Sequence, residues 1–135
     1  MTTTALSASA RCPCLSGFAY GECCGPLHDG TAAAPTAERL MRSRFSAFAV
    51  GDADYLLASW HPSTRPDSLE LDEGLRWYRL DILDGSAGRE GDSEGVVEFV
   101  AFFKPQPGVS AAAGSQHEVS RFVREGGRWF YVSAL

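Results

Sequence analysis

All four cysteines of this 135-residue chain lie between Cys12 and Cys24, in the order C-x-C, eight residues, C-C. Two close thiolate pairs suit a tetrahedral zinc ion, because each pair supplies two ligands from one turn and the loop between them brings the pairs together. Glycines at positions 17, 21 and 25 would allow the backbone to bend sharply around the metal. The spacing therefore predicts one structural Zn²⁺ per chain.

Two other uses of the cysteines compete with zinc. Disulfides within C-x-C or C-C would be strained, so an oxidised form would have to cross-pair the two clusters. Redox catalysis favours a C-x-x-C spacing, which this sequence does not contain. Both alternatives are weaker than zinc on these grounds.

Composition and charge narrow the class of protein. The net charge is −5 and Lys104 is the single lysine, which disfavours binding to nucleic acid or the ribosome, because phosphate contacts need clustered basic residues. The sequence has no apolar window of about 18 residues, and its first residues do not resemble a signal peptide. We therefore expect a cytoplasmic protein with no membrane association, in a reducing compartment where disulfides are rare.

Two helices are predicted after the cysteines. Apolar residues recur at helical spacing from Thr36, a candidate N-cap, to Gly51, a candidate stop. A second helix is expected from Asp52 to about His61, because Pro62 restricts the residue before it. A further helical turn is considered over residues 68–74.

Four strands complete the predicted order. The first alternates Tyr78, Leu80 and Ile82 as its drier face, and the second, "VVEFVAFF", is apolar on both faces and is expected to be buried on both. Two glycines at 126 and 127 predict a hairpin between the last two strands. The pattern predicts an α+β fold, in which helices cover one face of a curved antiparallel sheet of about four strands.

Two stretches carry a family resemblance. "CPCLSGFAYGECCG" resembles the SEC-C motif, the small zinc knuckle at the C-terminus of the protein-export motor SecA. "TAERLMRSRFSAFAVGDADYLLASWHPSTRP" resembles the signature of the YchJ family, in which an N-terminal SEC-C knuckle is joined to a nuclear transport factor two-like (NTF2-like) domain. Residues 1–10 are mostly Thr, Ser and Ala with little to bury, so we expect a flexible leader there. The resemblance implies a knuckle at 11–30 and the larger domain at 34–135.

The motif also implies the ligands. It makes Cys12, Cys14, Cys23 and Cys24 the zinc ligands, with His28 as an alternative fourth ligand outside the motif. Leu15 replaces the glycine usual after the second cysteine, a change that is tolerable if the backbone there is not left-handed. The knuckle loop also lacks the lysines of the SecA knuckle, which further disfavours RNA.

The resemblance implies a cone-shaped domain whose open end is often a ligand pocket. Arg44 falls within the apolar face of the first helix, and a buried guanidinium needs either a carboxylate or an anionic ligand. We expect an internal ion pair with a carboxylate such as that of Asp81 or Glu98, and the alternative is that Arg44 binds a small anion in the cone.

Four further residues are candidates for the pocket: Tyr55, Trp60, His61 and Trp77. For His61 the competing interpretation is structural, because a histidine at a helix end can cap the last carbonyls. No spacing typical of a catalytic triad, a phosphate loop or a carboxylate pair stands out, so no catalytic residue is assigned.

These observations favour a non-enzymatic zinc protein whose knuckle contacts a protein partner and whose larger domain binds a partner or small ligand. The alternatives are an enzyme or small-molecule carrier that uses the cone, and a ribosome-associated factor that uses the knuckle. Related folds often pair through the outer face of the sheet, so a homodimer is also considered. We further expect that loss of zinc unfolds the knuckle and leaves the larger domain largely folded.

Overall fold

The computed structural model describes residues 6–135, so positions 1–5 of the expected leader lie outside the described residues. A 3₁₀ helix spans Tyr20–Glu22, and three α-helices follow: α1 (Gly25–His28), α2 (Ala37–Val50) and α3 (Ala53–Ala58). Four strands come next: β1 (Leu75–Ala87), β2 (Glu94–Pro105), β3 (Gly114–Glu125) and β4 (Arg128–Ala134). They form one antiparallel sheet in the order β1-β2-β3-β4, which confirms the predicted α+β class.

Helix α2 begins and ends where the sequence predicts. The Thr36 hydroxyl accepts a hydrogen bond from the backbone N–H of Arg39 at 3.1 Å and so caps the first turn. Gly51 follows the last turn with φ 78°, the left-handed conformation that favours glycine at this position.

Helix α3 is shorter than predicted. Asp52 caps its start by accepting from the N–H of Tyr55 at 3.0 Å, but the helix ends at Ala58. The backbone then pairs with β4, because the N–H of Tyr131 donates to Ser59 and the N–H of His61 donates to Tyr131. Residues 68–74 form no helix, so the prediction of a helical turn there was wrong.

A bulge in β1 changes which side chains face the helices. The register shifts between Trp77 and Arg79, so both Trp77 and Leu80 point to the covered face. Tyr78 is 40% exposed, and its assignment to the drier face was wrong. A strict two-residue alternation cannot anticipate the extra residue of a bulge.

Strand β2 lies inside the sheet but is covered on one face only. Val97, Phe99 and Ala101 are buried beneath the helices, whereas the alternate residues Val96 and Val100 are half-buried. The expectation of burial on both faces was wrong, because no second layer of described residues covers the outer face.

The hairpin between β3 and β4 turns at Gly126 and Gly127, with φ of 59° and 79°. Positive φ at both positions matches the tight turn predicted from the two glycines. From β4, the Trp129 indole N–H reaches back to donate to the carbonyl of Pro35 at 3.2 Å. This bond ties the last strand to the start of α2.

The main core lies between α2 and the sheet, and it extends into the segment between the cysteines and α2. Leu27 and Ala34, which precede α2, are buried in the same cluster as Phe45, Phe122 and Trp129. Burial of such apolar side chains contributes roughly 25 cal/mol per Å². The segment before α2 therefore takes part in the core of the larger domain.

None of the described helices is long and apolar enough to cross a membrane.

Part of the expected leader is joined to the knuckle. The carbonyl of Ala8 accepts from the N–H of Gly21 at 2.9 Å, and that of Ala10 accepts from Tyr20 at 2.7 Å. Leu15 of the knuckle has φ 63°, so its backbone is in the left-handed conformation in which leucine was not expected to be tolerated. This conformation costs a non-glycine residue about 1–2 kcal/mol.

We predict that Leu15→Gly stabilises the full chain by about 1 kcal/mol, because glycine removes the left-handed strain. Leu15 is 46% exposed, so little packing is lost. Urea unfolding measures the change. Leu83→Gly is the matched control, since Leu83 is 54% exposed without a positive φ and its replacement should destabilise the chain. An equal loss of stability in both variants would contradict the assignment of strain.

Candidate functional site

A tight turn presents the first pair of cysteines. Arg11 and Ala19 form an antiparallel bridge, and the N–H of Cys12 donates to the carbonyl of Phe18 at 3.0 Å. The N–H of Leu15 donates back to the carbonyl of Cys12 at 3.1 Å and closes the turn that contains Cys14. The short C-x-C spacing thus places two sulfur atoms on one side of the loop.

The second pair lies between the 3₁₀ helix and α1. The N–H of Cys23 donates to Tyr20 at 3.1 Å, and the carbonyl of Cys24 accepts from His28 at 2.9 Å. Gly25 is needed here, because a Cβ atom at this position would lie 2.8 Å from the carbonyl oxygen of Tyr20. The close approach of these two turns brings the second pair to the first.

The four sulfur atoms form one buried group. All lie within 4.8 Å of one another, with 3.6 Å between Cys14 and Cys23 and 4.0 Å between Cys23 and Cys24. Ligand bonds of about 2.3 Å in a tetrahedral zinc site would separate the sulfurs by about 3.8 Å. All four thiols are free and at most 7% exposed, so the cluster fits a tetrahedral metal and contains no disulfide.

Proximity shifts the thiol pKa values in opposite directions. Hydrogen bonds from Cys12 and Cys24 lower the pKa of the Cys14 thiol, whereas hydrogen bonds with Cys12 and Cys14, together with burial, raise the pKa of the Cys24 thiol. One thiolate is thus stabilised by its protonated neighbours. A cation that replaces those protons would stabilise all four thiolates.

Helix α2 supplies the second layer of contacts around the sulfurs. The guanidinium of Arg39 donates to the Cys24 sulfur at 3.7 Å and to the Cys23 carbonyl at 2.9 Å. Arg42 donates to the carbonyl of Cys14 at 3.0 Å, and the Ser46 hydroxyl donates to the Cys24 sulfur at 3.3 Å. Ser46 is fully buried. The face of α2 that appears polar in sequence is therefore the surface on which the knuckle packs.

His28 lies beside this group but is engaged elsewhere. Its Nδ1 pairs with the Tyr20 hydroxyl at 2.6 Å, and its Nε2 pairs with the carbonyl oxygen of Ser43 at 2.8 Å. Burial lowers the pKa of the imidazole. The geometry thus groups Cys24, and not His28, with the other three cysteines.

A second candidate site is a cavity of about 240 Å³ between α2 and the sheet. Its walls are mostly aromatic, with Arg44, Gln116 and Glu118 as the polar exceptions. The aromatic lining residues are Phe45, Phe48, Trp60, Trp77, Phe99 and Tyr131. A concave apolar site with a few convergent polar groups is typical of small-molecule binding.

Arg44 is 4% exposed, as its place on the apolar face predicts. The expected ion pair with Asp81 or Glu98 is wrong, because Asp81 pairs with Arg79 and Glu98 pairs with His117. Arg44 Nη1 instead donates to the Leu56 carbonyl at 2.8 Å and to the Ser59 hydroxyl at 2.7 Å.

Aromatic faces complete the surroundings of this guanidinium. Its central carbon lies 4.5 Å from the ring centroid of Tyr131 and 5.3 Å from that of Trp60. Burial lowers the pKa of Arg44 to about 10, which leaves it charged at neutral pH. Among residues 6–135, no carboxylate lies within ion-pair distance of it.

The structure brings together three of the five predicted pocket residues: Arg44, Trp60 and Trp77. Tyr55 lines a different and more open cavity of about 430 Å³, and its hydroxyl pairs with Ser43 at 2.7 Å. His61 is absent from the lining of the aromatic cavity, and its ring pairs with Glu125 at 2.9 Å and Ser63 at 2.7 Å. The ring of His61 does not cap α3 either.

Sequence reasoning missed Tyr131, Gln116 and Glu118. Tyr131 follows Phe130 in an apolar strand, and nothing in that pattern marks it as a neighbour of Arg44. Gln116 and Glu118 alternate along β3, so they share the face of the sheet that contacts α2. That alternation was the one available signal.

Comparisons with known proteins agree with this architecture. The family model described as "YchJ, middle NTF2-like domain" matches residues 36–134. A UPF0225 protein of Corynebacterium glutamicum is 53% identical over 121 residues, which cover 90% of this chain and 93% of that protein. A UPF0225 protein of Chromobacterium violaceum is also 53% identical, over 95% of this chain and 94% of its own.

Two solved structures have the same fold. The solution structure of a SEC-C motif containing protein from Rhodopseudomonas palustris has a TM-score of 0.77 at 37% identity, covering 93% of this chain and 97% of that one. The crystal structure of another, from Psychrobacter arcticus, has a TM-score of 0.75 at 26% identity, covering 93% and 82%. By sequence and by structure, the chain belongs to the family of YchJ and UPF0225 proteins.

Proposed function

We propose that this protein binds a small organic anion in the aromatic cavity, and that structural zinc in the knuckle holds the binding domain in shape. The observation that carries the proposal is Arg44, a buried cation on the cavity wall without an ionic partner among the described residues. A buried charge is costly unless it is paired.

The present partners of Arg44 reduce this cost without neutralising the charge. One carbonyl and one hydroxyl accept hydrogen bonds from Nη1, and two aromatic rings lie against the guanidinium. Cation–π contacts contribute about 0.5–2 kcal/mol each. A carboxylate or phosphate would add a charge-assisted hydrogen bond in a region of low dielectric, where such bonds are strongest.

The zinc part of the proposal rests on the chemistry of the donor set. Four thiolates with no fifth donor form the closed coordination typical of structural zinc, whereas catalytic sites keep a position open for water. Zinc bound there would draw the knuckle loop together and hold it against α2, through Arg39, Arg42 and Ser46.

The role of the knuckle in contacting a protein partner, and a cytoplasmic location, stay predictions. Leu15 and Phe18, 46% and 62% exposed, are the apolar side chains of the knuckle that a partner could contact.

We predict about one zinc per chain, and a loss of most of it in Cys24→Ser, because the hydroxyl is a poor zinc ligand compared with thiolate. His28→Asn should keep the metal, since both nitrogens of His28 bond within the protein. Elemental analysis after dialysis measures the zinc content of the wild-type chain and of both variants. Full zinc content in Cys24→Ser, with loss in His28→Asn, would instead identify His28 as the fourth ligand.

We predict that Arg39→Ala weakens zinc retention by about 10–100-fold, the usual effect of losing a hydrogen bond to a metal ligand. Arg39 donates to the Cys24 sulfur, so its loss leaves that thiolate less stabilised. Competition with a chromophoric chelator gives the affinity. Arg79→Ala, which removes an exposed arginine paired with Asp81, is the control and should not change it. An unchanged affinity in Arg39→Ala would contradict the role.

We predict that 3-phenylpropionate binds the cavity at least about tenfold more tightly than its neutral amide, because only the acid offers an anion to Arg44. Quenching of the fluorescence of Trp60 and Trp77, both in the cavity wall, reports binding. Arg44→Met should abolish the preference, and Arg44→Lys should keep part of it.

Circular dichroism and zinc content show whether the Arg44 variants remain folded. Arg79→Met, which removes an exposed cation outside the cavity lining, is the control and should behave as the wild type. Equal binding of the acid and the amide to the wild-type protein would overturn the proposal.

A further inference from the structure

The aromatic cavity contains a carboxylate as well as a guanidinium. Glu118 lies on β3, directly opposite Phe99 of β2, and lines the same cavity as Arg44. Its Oε2 accepts a hydrogen bond from the hydroxyl of Ser120 at 2.6 Å, and Ser120 is fully buried. A buried donor thus orients the carboxylate at the cavity wall.

The two charges influence each other without forming a pair. Burial is the largest influence and lowers the pKa of Arg44, whereas the negative charge of Glu118 acts to raise it. Glu118 is therefore close enough for its field to reach Arg44, yet it is outside ion-pair distance. An anion without a positive group would be attracted by Arg44 and repelled by Glu118.

We propose that the ligand is a zwitterion with an apolar body, such as an amino acid with an aromatic or aliphatic side chain. This inference rests on the proposed function and names its ligand class. The carboxylate of the ligand faces Arg44 and its ammonium faces Glu118, so the buried guanidinium and the half-buried carboxylate each meet an opposite charge. The apolar body lies against the aromatic rings.

Size and lining agree with such a ligand. The cavity of about 240 Å³ is smaller than the roughly 300–1,000 Å³ of sites for drug-sized molecules. Aromatic rings surround it from α2, from the residue Trp60 after α3, and from strands β1, β2 and β4. They include Phe48, Trp77 and Phe99. Gln116 is exposed, so the cavity opens to solvent at this residue. The side-chain amide of Gln116 can hydrogen-bond either to the carboxylate or to the ammonium group of the ligand.

Three probes that share one aromatic body separate the contributions of the two charges. L-phenylalanine has both charges, 3-phenylpropionate lacks the ammonium, and phenethylamine lacks the carboxylate. Binding to the full zinc-loaded chain is followed by tryptophan fluorescence and by calorimetry. We expect L-phenylalanine to bind about tenfold more tightly than 3-phenylpropionate, since it alone satisfies Glu118 as well as Arg44.

Glu118→Gln tests the carboxylate directly. The amide keeps the size of the side chain and a hydrogen bond with Ser120 but removes the charge, so the tenfold preference should disappear or reverse. Glu98→Gln is the matched control, because Glu98 pairs with His117 on the other face of the sheet and should leave the preference intact.

The outcomes separate the two proposals. If 3-phenylpropionate binds as tightly as L-phenylalanine, or Glu118→Gln keeps the preference, the zwitterion inference fails while anion binding at Arg44 stands. If phenethylamine binds and neither carboxylate does, or if none of the three binds, both proposals are overturned.

Discussion

The packing of the thiol cluster against α2 is the contact on which the rest of the structure depends. Arg39, Arg42 and Ser46 connect this helix to sulfur atoms and carbonyls of the knuckle. On its other side α2 packs against the sheet through Leu40, Met41 and Phe45. A fourteen-residue helix is thus covered on two sides, and its position sets both the knuckle and the aromatic cavity.

The knuckle and the larger domain share packing contacts in this arrangement. Leu27 and Ala34, which connect the knuckle to α2, are buried in the main core. Separation of the knuckle from α2 would also expose the buried hydroxyl of Ser46, which contacts the sulfurs of Cys12 and Cys24. The expectation that the larger domain stays folded after loss of zinc therefore stays a prediction, and the shared packing argues for coupled unfolding instead.

Much of the local structure was predictable from the sequence, and the errors have identifiable physical causes. Thr36, Gly51 and the glycine pair at 126 and 127 act locally, so their caps and turn were correctly predicted. The bulge beside Trp77 was not predicted, because it depends on the pairing of β1 with β2. The predicted ion pair of Arg44 was also wrong. The acceptors of its hydrogen bonds, Leu56 and Ser59, become its neighbours only when α3 packs on α2.

The sequence by itself determined the α+β class, the order of the elements and the four clustered cysteines, since caps, turns, hydrophobic periodicity and thiol spacing are all local properties of the chain. Only the tertiary structure decided that the polar face of α2 binds the knuckle, that His28 bonds to Tyr20 and Ser43, and that Arg44 and Glu118 share one cavity. Each of these depends on contacts between residues distant in sequence, and the period of a helix or strand does not specify which distant residue will cover a given face.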